Sequence, residues 1–186
     1  MVSCKTYRIL GIDPGTNYMG YGILEVAGRE LFPVALGDID LHKILDPYDK
    51  LRYIFERVRA LIAEYSPREV ALESPFFGQN VQSMLKLGRA QGAALTAAVM
   101  KGMKVAEYAP RKAKIAICGN GAASKEQVAM MIQKTLNVDL DPKYLDATDA
   151  LAIALCHHYQ MSNPLAGVSG KMDWKTLLAN NPDRVK

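Results

Sequence analysis

Ile9-Leu10-Gly11-Ile12-Asp13-Pro14-Gly15-Thr16 sets one carboxylate at the end of an apolar run and then turns the chain sharply. Residues Tyr7 to Ile12 alternate only weakly between apolar and polar, the pattern of a strand covered on both faces of a sheet. Asp13 caps its end. Pro14 fixes φ and Gly15 allows a positive φ, so the pair suits a tight turn, after which Tyr18 to Val26 resumes as a second strand through Gly20 and Gly22. A strand aspartate before Pro-Gly is itself a common turn signal, so only partners distant in sequence can make Asp13 a site.

Working outward, Arg29 to Leu41 reads as a third strand after a turn at Ala27-Gly28, giving three antiparallel strands in succession. Asp46-Pro47 starts a helix, with Asp as N-cap and Pro at the first helical position. Leu51, Ile54, Phe55, Val58, Leu61, Ile62 and Tyr65 recur at helical spacing on one face. Ser66-Pro67 ends that helix, and Glu69 to Glu73 forms a short strand that finishes on a second acid. Ser74 to Asn80 is a loop by composition and carries Phe76 and Phe77.

Val81 to Lys101 predicts a long helix crowded with small residues from Gly88 to Ala98, which suit close approach either of its own sheet or of a partner. Met103 to Tyr108 is a fifth strand and Pro110 to Cys118 a short basic helix. Ser124 with Gln127 forms a capping box ahead of Val128, Met131, Ile132 and Leu136. Leu145 to Tyr159 is helical, with Asp146, Asp149, Ala150, Ile153 and His157 along one stripe. The expected fold is α/β: five strands in a mixed sheet, three antiparallel and then two parallel, with helices on both faces. Residues 1–161 form the domain, and 162–186, rich in Asn, Pro, Gly and Ser near its start, reads as a mobile tail.

The 186 residues are 49% hydrophobic and 23% charged, ordinary for one globular domain. No apolar run reaches the roughly 18 residues of a membrane span, and no export signal follows Met1, so the cytoplasm is the expected compartment. Cys4, Cys118 and Cys156 are odd in number and scattered, which argues against a disulfide framework. Consecutive Cys156-His157-His158 point about 100° apart on a helix and cannot converge on one zinc ion. The net charge of +4 is uneven: Lys101, Lys104, Arg111, Lys112, Lys114 and Lys125 face only Glu107, a net +5 in that segment. Such a segment is a solvated face or a nucleic-acid surface.

Sites in α/β sheets gather at the carboxyl ends of parallel strands. If the strand ending at Asp13 lies beside the one ending at Glu73, the two acids are neighbours. Asp146 and Asp149, three apart on a helix, put their Cβ atoms about 5 to 6 Å apart. They read either as shared ligands or as the acids a helix start prefers. Four converging carboxylates are costly without a cation, since unit charges 4 Å apart repel by roughly 4 kcal/mol at an effective dielectric of 20. Oxygen donors select a hard ion, Mg²⁺ or Mn²⁺, and paired ions of that kind suit phosphodiester cleavage.

Four segments in order carry a resemblance: Gly11-Ile12-Asp13-Pro14-Gly15-Thr16 with Gly20-Tyr21-Gly22; Ala71-Leu72-Glu73 followed by Phe76; Leu85-Lys86-Leu87-Gly88-Arg89-Ala90-Gln91-Gly92; and Asp146-Ala147-Thr148-Asp149-Ala150-Leu151-Ala152-Ile153-Ala154. From about Arg8 to His158 the chain resembles the RuvC family of bacterial Holliday-junction resolvases. The resemblance implies a ribonuclease H-like fold, a homodimer, Mg²⁺ dependence and paired symmetric nicks across a four-way DNA junction. It also implies the RuvA and RuvB branch-migration proteins as partners. Asp13, Glu73, Asp146 and Asp149 match the family's metal-binding acids, Phe76 its junction-stacking aromatic, and Lys114 and Lys125 its basic positions near the scissile phosphate. On physical grounds a loop phenylalanine either stacks on a base, worth roughly 1 to 3 kcal/mol, or fills a dimer crevice.

Three other readings compete. Asp13-Pro14-Gly15-Thr16 also resembles the phosphate loop of sugar-kinase and actin-like ATPases, which need a second lobe this length does not supply. A ribonuclease H-like nuclease acting on structured RNA is another, and a non-catalytic DNA-binding module with acids as caps and turns is the third.

Overall fold

Residues 6–74, 80–139 and 145–162 are described in a computed structural model of the chain. The elements run β1 (Tyr7–Asp13), β2 (Tyr18–Ala27), β3 (Glu30–Asp40), α1 (Pro47–Tyr65), β4 (Glu69–Glu73), α2 (Val81–Val99), β5 (Lys104–Tyr108), α3 (Pro110–Cys118), α4 (Lys125–Leu136) and α5 (Leu145–Ser162). The sheet has the order β3-β2-β1-β4-β5. Pairing is antiparallel for β1–β2 and β2–β3 and parallel for β1–β4 and β4–β5, the mixed arrangement expected from the sequence. The tail beyond Ser162, the Phe76–Phe77 loop and Asp141-Pro142 lie outside the described residues.

The two faces of the sheet are assigned by strand alternation. Leu10, Ile12, Met19, Ile23, Val70 and Leu72 point to one side and pack under α1 and α2. Ile9, Leu24, Val26 and Ala71 point to the other, under α3, α4 and α5. Each Leu, Ile, Val or Met side chain among them, fully buried, is worth roughly 1.5 to 3 kcal/mol of transfer free energy. The same alternation sends Asp13, Glu73, Gly11, Gly20 and Gly22 to the α5 side.

Local signals hold at several helix starts. Asp46 accepts hydrogen bonds from the Tyr48 and Asp49 amides at the start of α1, and Ser124 and Gln127 close a capping box on α4. Ser66 ends α1 in the left-handed region with φ 47°. Several details differ from the expectation: Gly15 makes its turn without a positive φ, β2 ends at Ala27 rather than Val26, β3 spans Glu30–Asp40 rather than Arg29 to Leu41, and β5 starts at Lys104 rather than Met103. Met131 is exposed, while Val128, Ile132 and Leu136 are buried, because a fourth residue on that stripe overhangs the edge of the packed face. α2 stops at Val99 rather than Lys101, and α5 runs on to Ser162 rather than Tyr159.

The small residues of α2 divide into two faces. Ala90, Ala94, Ala97 and Ala98 are buried in the core beneath α2. A Cβ added at Gly88 or Gly92 would meet nothing, and beside those glycines Val81, Leu85 and Val99 are 65%, 53% and 61% exposed.

Candidate metal centre and its surroundings

Parallel pairing sets Ile12 beside Leu72, so the next residues of β1 and β4, Asp13 and Glu73, end adjacent strands. On the other side Asp13 pairs with Gly20, and Gly20 with Asp38. Glu73 in turn pairs with Tyr108. One row across the carboxyl edge of β1 and β4 therefore reads Asp38, Gly20, Asp13, Glu73, Tyr108.

Helix α5 is laid onto this row by absent side chains. A Cβ on Gly20 would collide with the Asp146 carbonyl, and one on Gly11 with the Ala150 carbonyl; one on Gly22 would be 3.0 Å from the Leu151 Cα. Only a residue without Cβ lets helix backbone approach strand backbone this closely. The result is that carboxylate oxygens of Asp13, Asp146 and Asp149 lie within 4.8 Å of one another. Glu73 shares with Asp13 and Asp149 a cavity of about 320 Å³, whose wall also holds Lys114 and Lys125. The sequence-selected acids are thus brought together, Glu73 beside the triplet rather than within it. Lys125 bridges the group, its Nζ 2.7 Å from Asp149 Oδ2 and 3.4 Å from Asp146 Oδ1. Phe76 belongs to the loop outside the described residues.

Crowding leaves its mark on the protons. Burial first, then the charges of Glu73, Asp149 and Asp146, push Asp13 up to about 8 against the pull of Lys125. Burial and Asp149 push Glu73 up to about 7, opposed by Lys125 and Lys114. Burial lowers the Lys125 ammonium, but its hydrogen bond to Asp149 and the surrounding acids win, and its pKa rises. A donor set of carboxylate oxygens that repel each other this strongly fits a hard divalent cation.

Protonation at Asp13 and Glu73 gives the cation-free protein a defined pH response. Their ordinary values are 3.8 and 4.5 and their folded values about 8 and 7, so in that window the folded state binds more protons than the unfolded one. The stability they contribute is complete below the ordinary values and is lost as pH rises through the folded ones. Melting temperature without metal should fall between pH 6 and pH 8.5, more steeply than in an Asp13→Asn, Glu73→Gln variant. Equal slopes in the two proteins would contradict the raised values.

Two features of the site were not foreseen from the sequence. Asp38 accepts from the Ala147 backbone amide in the first turn of α5, feels the charge of Asp146, and holds Oδ1 buried without a hydrogen-bond partner. Its position two residues from Asp40 in β3 was the available signal, but which face it takes depends on the pairing with Gly20. Deeper along α5, His157 bridges Tyr108 and Glu69, with Nδ1 2.7 Å from the Tyr108 hydroxyl and Nε2 3.1 Å from Glu69 Oε2. Burial pushes the Tyr108 phenol up to about 12, so it keeps its proton, and the imidazole links β5 to β4 through its two ring nitrogens. The Ser74 amide donates to the Tyr108 carbonyl at 2.8 Å, tying the chain after Glu73 to β5.

A ribonuclease H-like sheet with acids gathered at its carboxyl edge, a hard-cation donor set and lysines above it defines a nuclease class whose chemistry runs on bound metal. Residues 9–157 match the family described as crossover junction endodeoxyribonuclease RuvC. Crossover junction endodeoxyribonucleases RuvC of Bacteroides fragilis and Porphyromonas gingivalis are 55% and 49% identical, over 98% and 100% of this chain and 97% and 100% of theirs. The Thermus thermophilus RuvC structure superposes with a TM-score of 0.76 at 32% identity, covering 83% of this chain and 95% of that one. The same protein solved in complex with a Holliday junction substrate gives 0.75 at 29% identity, with the same coverage. The chain belongs to the RuvC family. Among the described residues no helix is long and apolar enough to cross a membrane.

Proposed function

We propose that the chain resolves four-way DNA junctions by paired, symmetric phosphodiester cuts, serving recombination and repair in the cytoplasm. The observation that carries this reading is the convergence of Asp13, Asp146 and Asp149 within 4.8 Å, in a family whose Thermus thermophilus member was solved with a Holliday junction. Membership of that family sets aside the two-lobed ATPase reading.

Asp13, Glu73, Asp146 and Asp149 are the residues that would hold Mg²⁺, with Mn²⁺ able to substitute. When bound, such ions lower the pKa of a water and offset charge on the phosphate oxygens. The protein's own part is to fix four carboxylates on three elements, so that the rearrangement asked of the site is the release of Asp149 and Asp146 by Lys125. Lys114 and Lys125, on the cavity wall, meet the scissile phosphate. They also attract a polyanion toward acids that would otherwise repel it. Phe76, three residues after Glu73, is assigned to stacking on an unpaired junction base.

A four-way junction has near two-fold symmetry, which an isologous dimer matches with two equivalent centres. The open stripe of Val81, Leu85, Gly88, Gly92 and Val99 on α2 supports a second copy as its occupant, and RuvA and RuvB are the proposed branch-migration partners. Leu85→Lys should weaken self-association at least about tenfold by placing a charge in the centre of an apolar contact. Sedimentation across a concentration series checks this, and an unchanged dimer would move the interface elsewhere. The overall reading is tested on a synthetic mobile four-way junction with Mg²⁺ or EDTA. Ligatable nicked duplexes in Mg²⁺ alone are expected; cleavage of structured RNA with none of the junction would transfer the chain to the RNA reading.

A further inference from the structure

A second basic cleft opens on the other face of the sheet, and it belongs to no part of the acid cavity. It has a volume of about 220 Å³ and lies between the β1–β2 loop, the start of α1 and the middle of α2. Lys50, Lys86 and Arg89 contribute three positive charges to its wall, Thr16 and Asn17 add a hydroxyl and an amide, and none of its lining residues is acidic. The nearest acids in sequence to Lys50 are engaged elsewhere: Asp46 caps α1, and Asp49 pairs with Arg52 at 3.0 Å. Neither Lys86 nor Arg89 forms an ion pair with another described residue. Three cations around one small cavity repel each other unless an anion is shared between them.

We propose that this cleft seats a backbone phosphate of the junction arm that is not being cut. The inference rests on the junction reading and adds a second contact to it. The floor of the cleft is apolar, from Leu41 and Ile54, and Leu45 at its edge is 92% exposed, a surface suited to the sugar beside a phosphate. The β1–β2 loop is common to both sites. Asp13 enters it, Thr16 and Asn17 leave it, and it is held in place by the Lys50 ammonium donating to the Thr16 carbonyl at 3.0 Å and by the Leu41 amide donating to the Asn17 carbonyl at 2.8 Å. Acid cavity and basic cleft therefore flank one pinned loop from opposite faces of the sheet. A second copy of the chain is the poorer occupant. At 100° per residue, Arg89 and Lys86 stand about 70° and 130° around α2 from the middle of its open apolar stripe.

The test is a Lys86→Ala, Arg89→Ala variant of the full chain, both side chains being exposed and outside the acid centre. Binding to a four-way junction and to a linear duplex is measured in Ca²⁺ over a series of salt concentrations, together with cleavage of saturated junction in Mg²⁺ and the oligomeric state. The slope of log affinity against log salt is expected to become shallower by about 0.9 for the lost phosphate. Junction affinity should fall at least about tenfold at physiological salt, duplex affinity by less, and cleavage at saturation should be unchanged. An unaltered slope and affinity would overturn the seat, as would an equal loss on duplex and junction, or a variant that has become monomeric. If the parent protein itself neither binds nor cuts junctions, the function proposed above fails. If the parent does both and the variant matches it, only the seat fails.

Discussion

Asp13→Asn should abolish cleavage while leaving junction binding in place and making the cation-free protein more stable. The Asp13 carboxylate is within 4.8 Å of those of Asp146 and Asp149 and feels Glu73 as well. An amide of the same shape retains one oxygen but loses the charge. A metal's electrostatic contribution to phosphoryl chemistry is several kcal/mol, and each 1.4 kcal/mol is about tenfold in rate, so a loss of at least about 10³-fold is expected in single-turnover cleavage. The opposite sign for stability follows from the raised pKa of the acid, which marks an unfavourable charge removed by the substitution. A gel-shift Kd, a cleavage rate and a melting curve together check it. Lost binding with the fold intact would place Asp13 on the DNA rather than on metal.

Gly20→Ala should damage both stability and activity, although residue 20 carries no chemistry. The added Cβ would run into the Asp146 carbonyl. That contact is backbone against backbone, with no flexible side chain to yield. Relief requires α5 to lift from the sheet, and α5 carries Asp146 and Asp149. Overpacking costs about 1 to 3 kcal/mol, and a 1 Å misplacement of reacting groups costs about 10²-fold in rate. Gly22→Ala should be milder, since its Cβ would be 3.0 to 3.1 Å from Leu151 atoms. Thermal melts and single-turnover rates on the two variants test the ranking, and Gly20→Ala at parental activity would mean that α5 does not need its close seat.

Features written locally were legible in the sequence. Asp46-Pro47, the Ser124–Gln127 box, the strand ending at Glu73 and the apolar face of α1 depend on residues a turn or less apart, and each is found where expected. Asp13 and Glu73 became neighbours in the reading only by assuming that β1 lies beside β4, and the parallel register supplies that adjacency. The role of Gly11, Gly20 and Gly22 was hidden because nothing within β1 or β2 says which helix will cross them. Asp38 and the His157 bridge were hidden for the same reason: their partners, Ala147, Tyr108 and Glu69, are 49 to 109 positions away. The small-residue run of α2 left core and interface both open, and the structure divides it between a buried alanine face and an open glycine face.

The Lys125 bridge to Asp149 and Asp146 means that the protein brings its own countercharge to the pocket. A divalent cation taking Asp149 and Asp146 as ligands would displace that ammonium, so loading the pocket exchanges one positive charge for another rather than filling a bare anionic hole.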